Sequence, residues 1–353
     1  MIYEIIKTAD QNAVLGGNIT QSPLAQLARV KKGGPVVLEL SSWMLESLVS
    51  IKKSPHIAVF TNIYPDHLNT YRGMKDYIAA KKNIFKFQTP QDYLIISRDN
   101  KETFKIGAEA ISRRFWFSRK YFKEENGCFL KNEWIYFRRD GQEEKILNIK
   151  NIKILGEHNL VNVLAAVSAA MVLGVNPAAI KKVLLSFKGL PDRLEFLKEI
   201  RGVKYYNDTT ATTPEATIAA LKTLKCPPCP RGGGERQRAG GVGDSAKNII
   251  LIVGGADKGL DFTELIKLIK KTCKAVVLLR GTGTDRIKNK LRVTRYGLRV
   301  TETNSIKEAV LTARKFSQKG DIILLSPACA SFGMFNNEFD RGEQFKKIIK
   351  KIK

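Results

Sequence analysis

The run Ile249-Ile250-Leu251-Ile252-Val253, followed by Gly254-Gly255-Ala256-Asp257-Lys258-Gly259, decides the fold class. An unbroken apolar run with no polar alternation describes a strand covered on both faces, as in a parallel sheet flanked by helices. A glycine-rich turn and an amphipathic segment follow it, completing a strand–loop–helix unit. The unit recurs outward in both directions, around Val36–Leu40, Ile57–Phe60, Tyr93–Ile96, Lys204–Tyr206, Ala275–Leu279 and Ile322–Leu325. The repeat predicts an α/β protein with parallel sheets. In such sheets ligands gather beyond the carboxyl ends of the strands, so the loops after these runs are where chemistry is expected.

At about 150 residues per domain, 353 residues predict two domains. The all-apolar segment Leu160–Val175 reads as a buried helix, and the turn Lys188-Gly189-Leu190-Pro191 marks a boundary between domains 1–188 and 189–353. Phe115–Ile149 alternates aromatic and charged residues and reads as a small β-hairpin excursion without assigned function. Cys226–Asp244 is low in complexity and reads as a mobile loop. Its single Cys-x-x-Cys has no second pair and no nearby His, so a loop is favoured over half a zinc site.

Apolar residues at 43% and charged residues at 27% exclude collagen-like and wholly disordered classes. The formal charge of +26 raises the question of polyanionic partners. Lys and Arg are scattered through amphipathic segments, however, so solvated helix faces explain them better than a nucleic-acid partner. The densest patch, Phe345–Lys353, reads as the end of an amphipathic helix. Five Cys, an odd number, argue against a disulfide framework and for a reducing compartment, the cytoplasm. Val163–Val175 falls short of the roughly 20 residues of a membrane span, and the N-terminus carries no signal pattern, so no membrane partner is expected.

Several loops hold residues suited to chemistry. Glu39 interrupts an apolar run near its carboxyl end; if buried it needs a partner such as a divalent cation, and the alternative is a surface strand. His67, in Thr61-Asn-Ile-Tyr-Pro-Asp-His67, could bind metal or phosphate, or simply cap its loop. A helical wheel of Gly73–Phe85 sets Met74, Tyr77, Ile78, Ile84 and Phe85 on one side with Lys81 among them, while Lys82 points elsewhere. A lysine held in an apolar face loses charge readily, and a neutral amine can add carbon dioxide to give a carbamate, an anionic metal ligand. The alternative is a lysine that snorkels to the surface. In Asn207–Pro214, Thr213 and Pro214 look like a helix N-cap and its first residue, an invitation to an anion. Neither GxGxxG nor GxxxxGK[ST] occurs in the chain.

Taken together, these loops resemble the Mur ligase family, in its glutamate-adding branch. The blocks that carry the resemblance are Gly16-Gly-Asn18-Ile19, Glu39-Leu-Ser-Ser42, Thr61–His67, Ala80-Lys81 and Gly156-Glu-His158-Asn159-Leu-Val-Asn162. Further along come Gly189-Leu-Pro-Asp-Arg193-Leu-Glu195, Asn207-Asp208, Gly254–Phe262 and Ser326-Pro-Ala-Cys-Ala-Ser331-Phe. The resemblance implies a truncated central ATPase-type domain followed by a C-terminal Rossmann-like domain. It implies ATP and Mg²⁺ as cofactors, and UDP-N-acetylmuramoyl-L-alanine and glutamate as substrates, joined through an acyl phosphate in peptidoglycan synthesis. A monomer is expected. Carried over residue by residue, Glu39, His67 and carbamylated Lys81 would serve the metal and the catalysis, and Asn18 would contact the muropeptide. Asn162 would read adenine, Arg193 would meet the ATP phosphates and Asp208 would bind ribose. Lys258 and Ser331, assisted by Thr212, would hold the glutamate carboxylates.

Two departures stand out. Thr210 occupies a position where the family usually has lysine, which leaves amino-acid recognition and its stereochemistry open. The family's UDP-binding domain and its phosphate loop ending in Gly-Lys-Thr or Gly-Lys-Ser are not found in these residues, and Met1–Asp10 looks like the rear half of the helix that follows that loop. The expectation is therefore an N-terminally truncated ligase, inactive or severely impaired alone, since a backbone N–H cradle for phosphates is missing. The competing readings are another ligase of this architecture, such as a folylpolyglutamate synthase, and a non-catalytic basic binding protein.

Overall fold

The central strands of the second unit are apolar on both sides and buried along their whole length, as Ile249–Val253 and Ile322–Leu325 show. The computed structural model describes residues 1–353 except 20–22, 68–69, 155, 226–246, 293–297 and 353. The Cys226–Asp244 segment thus lies outside the described residues. The chain divides into two units, Met1–Lys188 and Gly189–Lys353.

The first unit opens with helix α1 (Ile2–Ala9), then β1 (Val14–Gly17) and β2 (Val36–Glu39), a parallel pair in the register Val14↔Val36. Helix α2 (Ser42–Ile51) begins at Ser41, whose Oγ accepts from the Met44 N–H at 3.3 Å, a side-chain cap that satisfies a free first-turn donor. Then come β3 (Ile57–Phe60), α3 (Met74–Lys82), β4 (Tyr93–Ser97), α4 (Lys101–Ala108), β5 (Arg113–Ser118), β6 (Gly127–Lys131), β7 (Trp134–Arg139) and β8 (Gln142–Asn148). These strands form one six-stranded sheet in sequence order, parallel from β3 to β6 and antiparallel from β6 to β8. Helices α5 (Glu157–Val172) and α6 (Pro177–Ser186) close the unit.

The aromatic stretch after Phe115 is thus no separate excursion but the continuation of the main sheet. Its alternation has a packing reason. Phe115, Phe117, Ile135 and Phe137 join the core beneath α5, with Val163, Ala166, Val167 and Ala170, while Trp116 and Phe129 enter a second core with Leu94, Ile96 and Ile106. The buried helix read at Leu160–Val175 is α5, beginning a turn earlier.

The second unit contains β9 (Glu195–Ile200), β10 (Val203–Asn207), α7 (Pro214–Lys225), β11 (Ile249–Val253), α8 (Thr263–Thr272), β12 (Cys273–Leu279), α9 (Thr282–Arg292), β13 (Arg299–Thr303), α10 (Ile306–Phe316), β14 (Ile322–Leu325) and α11 (Glu338–Lys351). The sheet order is β13-β12-β11-β14-β10-β9, parallel except for the edge strand β9. Every residue of β11 is fully buried, as its unbroken apolar run requires. From β11 the chain runs outward through β12 to β13 and then returns to β14 on the other side of β11. That reversal is a topological switch point, where loops diverge and leave a crevice for ligands. Helix α11 lays Phe345 and Ile349 on the core beside β10, so its terminal lysines form the solvated face of an amphipathic helix.

Candidate functional site

In the first unit, Asn18, Glu39, His67 and Lys81 gather around the carboxyl ends of β2 and β3, while Asn162 stands apart on α5. Asn18 donates its N–H to the Glu39 carbonyl at 2.6 Å, placing these two together. Glu39 itself is exposed, as are Val36 and Leu38 of the same strand. The burial argument for a carboxylate at this position is therefore corrected: β2 pairs on one edge only and leaves most of its side chains uncovered.

His67 adopts a left-handed backbone (φ 55°), a conformation that few non-glycine residues take without local support. Support is present. The His67 N–H donates to Asp66 Oδ1 at 2.9 Å, and its ring packs against Trp43 at 4.7 Å and Tyr77 at 6.1 Å between centroids. Lys81 extends its Nζ over the Tyr77 ring, 5.7 Å from the centroid. Burial holds its ammonium below the ordinary lysine range, with the charges of Glu39 and Asp66 acting in the opposite direction. The same burial pushes the Tyr77 phenol up to about 12, assisted by Asp66 and Tyr71. The wheel argument assumed a longer helix than exists. α3 stops at Lys82, so Ile84 and Phe85 lie beyond it, yet Tyr77 and Ala80 supply the apolar face. Lys82 pairs with Glu109.

Asn162, on α5, is exposed and donates its Nδ2 to Asn159 Oδ1 at 3.3 Å. Among the described residues no cluster of three or more His, Cys, Asp or Glu has metal-holding geometry. A cleft lined by Trp43, Tyr71, Asp76, Asn83 and others lies between α2 and α3, but none of Glu39, His67 and Lys81 lines it.

In the second unit, the loops after β10, β11 and β14 converge at the switch point. Ala256 and Ala330 exchange backbone hydrogen bonds at 3.0 and 3.1 Å, and the Ala328 N–H reaches the Ala211 carbonyl at 2.8 Å. This closeness explains Gly255, with φ 139°, where a Cβ would lie 2.3 Å from the Ala330 carbonyl oxygen. The lashing brings Lys258 to Thr212, Nζ donating to Oγ1 at 3.2 Å. Ser331, 3% exposed, lies in the third loop. Thr213 Oγ1 accepts from the Ala216 N–H at 3.4 Å, the cap expected before Pro214.

Asp208 is 7% exposed, with Oδ1 accepting from the Leu194 N–H at 3.0 Å and Oδ2 from the Ser326 hydroxyl at 2.8 Å. Burial pushes its carboxyl up to about 6, against the lowering effects of Ser326, Leu194 and the Arg193 charge. Arg193 is exposed. Thr210 turns its hydroxyl inward, donating to the Asp192 carbonyl at 2.8 Å.

Two arginines escaped the reading of the sequence. Arg286 on α9 grips both carboxylate oxygens of Asp257, at 2.9 and 2.8 Å, and so orients the residue next to Lys258. Nothing in its local sequence signals that. Arg341 is fully buried beneath the loops that carry Thr212 and Ser331. Its signal was available, because it stands on the apolar stripe of α11 in helical step with Phe345 and Ile349.

The Mur ligase middle domain profile matches residues 1–170. A crystal structure of MurF from Acinetobacter baumannii and a structure of a pseudomurein peptide ligase type C from Methanothermus fervidus share the fold, with TM-scores of 0.68 and 0.66. Both are 17% identical in sequence; they cover 99% and 100% of this chain, which in turn covers 74% and 76% of theirs. The architecture is thus that of the Mur ligases. Among curated relatives, the UDP-N-acetylmuramoylalanine–D-glutamate ligase of Clostridium tetani is 38% identical over 355 residues, spanning 100% of this chain and 71% of the relative. That of Symbiobacterium thermophilum is 35% identical over 353 residues, spanning 100% of this chain and 72% of the relative. The chain belongs to the Mur ligase family, in its UDP-N-acetylmuramoylalanine–D-glutamate ligase branch. Among the described residues, no helix is long and apolar enough to cross a membrane.

Proposed function

We propose that this protein joins D-glutamate to UDP-N-acetylmuramoyl-L-alanine at the expense of ATP, the reaction its relatives are named for, as a step of peptidoglycan synthesis. The observation that carries the reading is the convergence of Lys258, Thr212 and Ser331 at the switch point of the second unit's sheet. An ammonium with hydroxyls beside it suits carboxylates, and an incoming glutamate brings two. In this reading residues 1–188 are the central ATP-binding domain and residues 189–353 the glutamate-binding domain.

The chemistry divides into two displacements. The alanyl carboxylate attacks the γ-phosphorus, ADP leaves, and the glutamate nitrogen then attacks the acyl phosphate carbonyl. Phosphate departs and the nitrogen gives up a proton. The protein's part is to position reactants and neutralise charge. Within residues 1–188, Asn18 suits the muropeptide and Asn162 an adenine; within residues 189–353, Arg193 suits phosphate and Asp208 a ribose hydroxyl. Glu39, His67 and Lys81 fit Mg²⁺ in their donor chemistry, a carboxylate, an imidazole and an amine whose burial favours its neutral form, provided that Lys81 carries a carbamate. Bound there, the cation would neutralise charge on the transferring phosphoryl group.

The test pairs two measurements on the purified protein. One is release of ADP and amide product that depends on D-glutamate and on the muropeptide. The other is a rise in melting temperature with D-glutamate that L-glutamate does not produce. Product with another amino acid in place of D-glutamate, or failure of both measurements, overturns the reading.

A further inference from the structure

Helix α11 carries a cation where its apolar stripe should continue. Arg341 is 0% exposed, like Phe345 below it. Its Nε donates to Thr209 Oγ1 at 3.0 Å, one Nη to the Thr209 carbonyl at 2.8 Å and the other to the Cys329 carbonyl at 3.4 Å. Thr209 Oγ1 in turn donates to the Glu338 carbonyl at 2.9 Å. All of these acceptors are neutral, and among the described residues Arg341 forms no ion pair within 4.0 Å. The adjacent Cys329 does not balance it, since burial pushes that thiol up to about 12. Burial draws the guanidinium down to about 10, with the charge of Glu338 acting in the opposite direction, so it remains charged at neutral pH.

An unpaired buried guanidinium costs stability, and the two carbonyls it grips identify what the cost is for. Thr209 lies in the loop that carries Thr212, and Cys329 in the loop that carries Ser331. We infer that Arg341 is a positioning residue for a dicarboxylate amino acid, locking these two loops together and leaving a positive charge beneath them that the ligand's carboxylates offset. It does not touch the ligand. The inference rests on the glutamate reading above and adds to it a residue acting from below the site.

Two variants test it in the full chain. Arg341→Lys keeps the charge but cannot span two carbonyls, and Arg341→Met keeps the stem and loses the charge. The apparent KM for D-glutamate should rise about tenfold in the first and about a hundredfold in the second, the larger loss falling where both the bridge between the loops and the charge are removed. KM for the muropeptide should stay within about twofold. The D-glutamate-dependent rise in melting temperature, which needs no turnover, should shrink in Arg341→Lys and vanish in Arg341→Met. Should the methionine variant fail to fold, the lysine variant carries the test. A variant that keeps wild-type glutamate dependence, or one in which every KM moves together, overturns the inference and leaves the glutamate reading standing. A wild-type protein that neither uses D-glutamate nor is stabilised by it overturns both.

Discussion

At Lys81 and Asp208 the same cause, burial, acts on groups of opposite charge. Each is driven toward its neutral form. Asp208 in the folded state is raised from 3.8 to about 6, so the folded protein holds this proton more tightly than the unfolded chain. The contribution is therefore fully favourable below pH 3.8 and is lost as pH rises through about 6. Above that, the ionised carboxylate costs up to roughly 3 kcal/mol. Asp208→Asn stays neutral and can keep both contacts, accepting from Leu194 and donating to Ser326. The variant should gain stability over wild type progressively between about pH 4 and 7, measured by denaturant unfolding, while losing ATP affinity if this residue binds ribose. For Lys81, carbamylation means attack of the neutral amine on carbon dioxide with loss of a proton. Protein equilibrated with ¹³C-bicarbonate should show a carbamate carbon by NMR. In Lys81→Arg that signal should disappear and turnover should fall by roughly 10²-fold or more, the typical loss of a positioned electrostatic group.

At the scale of elements, α11 shows what a helix face reveals and what it hides. The spacing of Arg341, Phe345 and Ile349 makes a stripe legible in sequence, but not that a cation in the stripe finds backbone carbonyls from two remote loops. Gly342 beside it is held to its size, because an added Cβ would lie 2.6 Å from both Asp192 Oδ1 and Thr209 Cγ2. Gly342→Ala should therefore destabilise by about 1–3 kcal/mol, despite the higher helix propensity of alanine. For a unit of this size that is a fall in melting temperature of roughly 3–10 °C, and glutamate affinity should fall with it. Strands were more legible than their partners. β3, β11 and β14 end where their apolar runs end, whereas Phe115–Ile149 suggested a detached hairpin, because alternation fixes faces but not the neighbouring strand.

At the scale of the whole molecule, each unit has a core of its own, under α5 in the first and around β10, β11 and β14 in the second. Residues 189–353 expressed alone should thus fold cooperatively, with helix and strand content by circular dichroism and a single thermal transition. A broad, non-cooperative melt would count against that division. The sequence by itself determined the fold class, because strands buried in a parallel sheet must be apolar along their length. Only the tertiary structure decided that Glu39 is exposed, that Asp208 is sealed between Leu194 and Ser326, and that Arg341 lies beneath Thr212 and Ser331. Burial and partnership depend on segments far apart in the chain, and local periodicity carries no information about which of them meet.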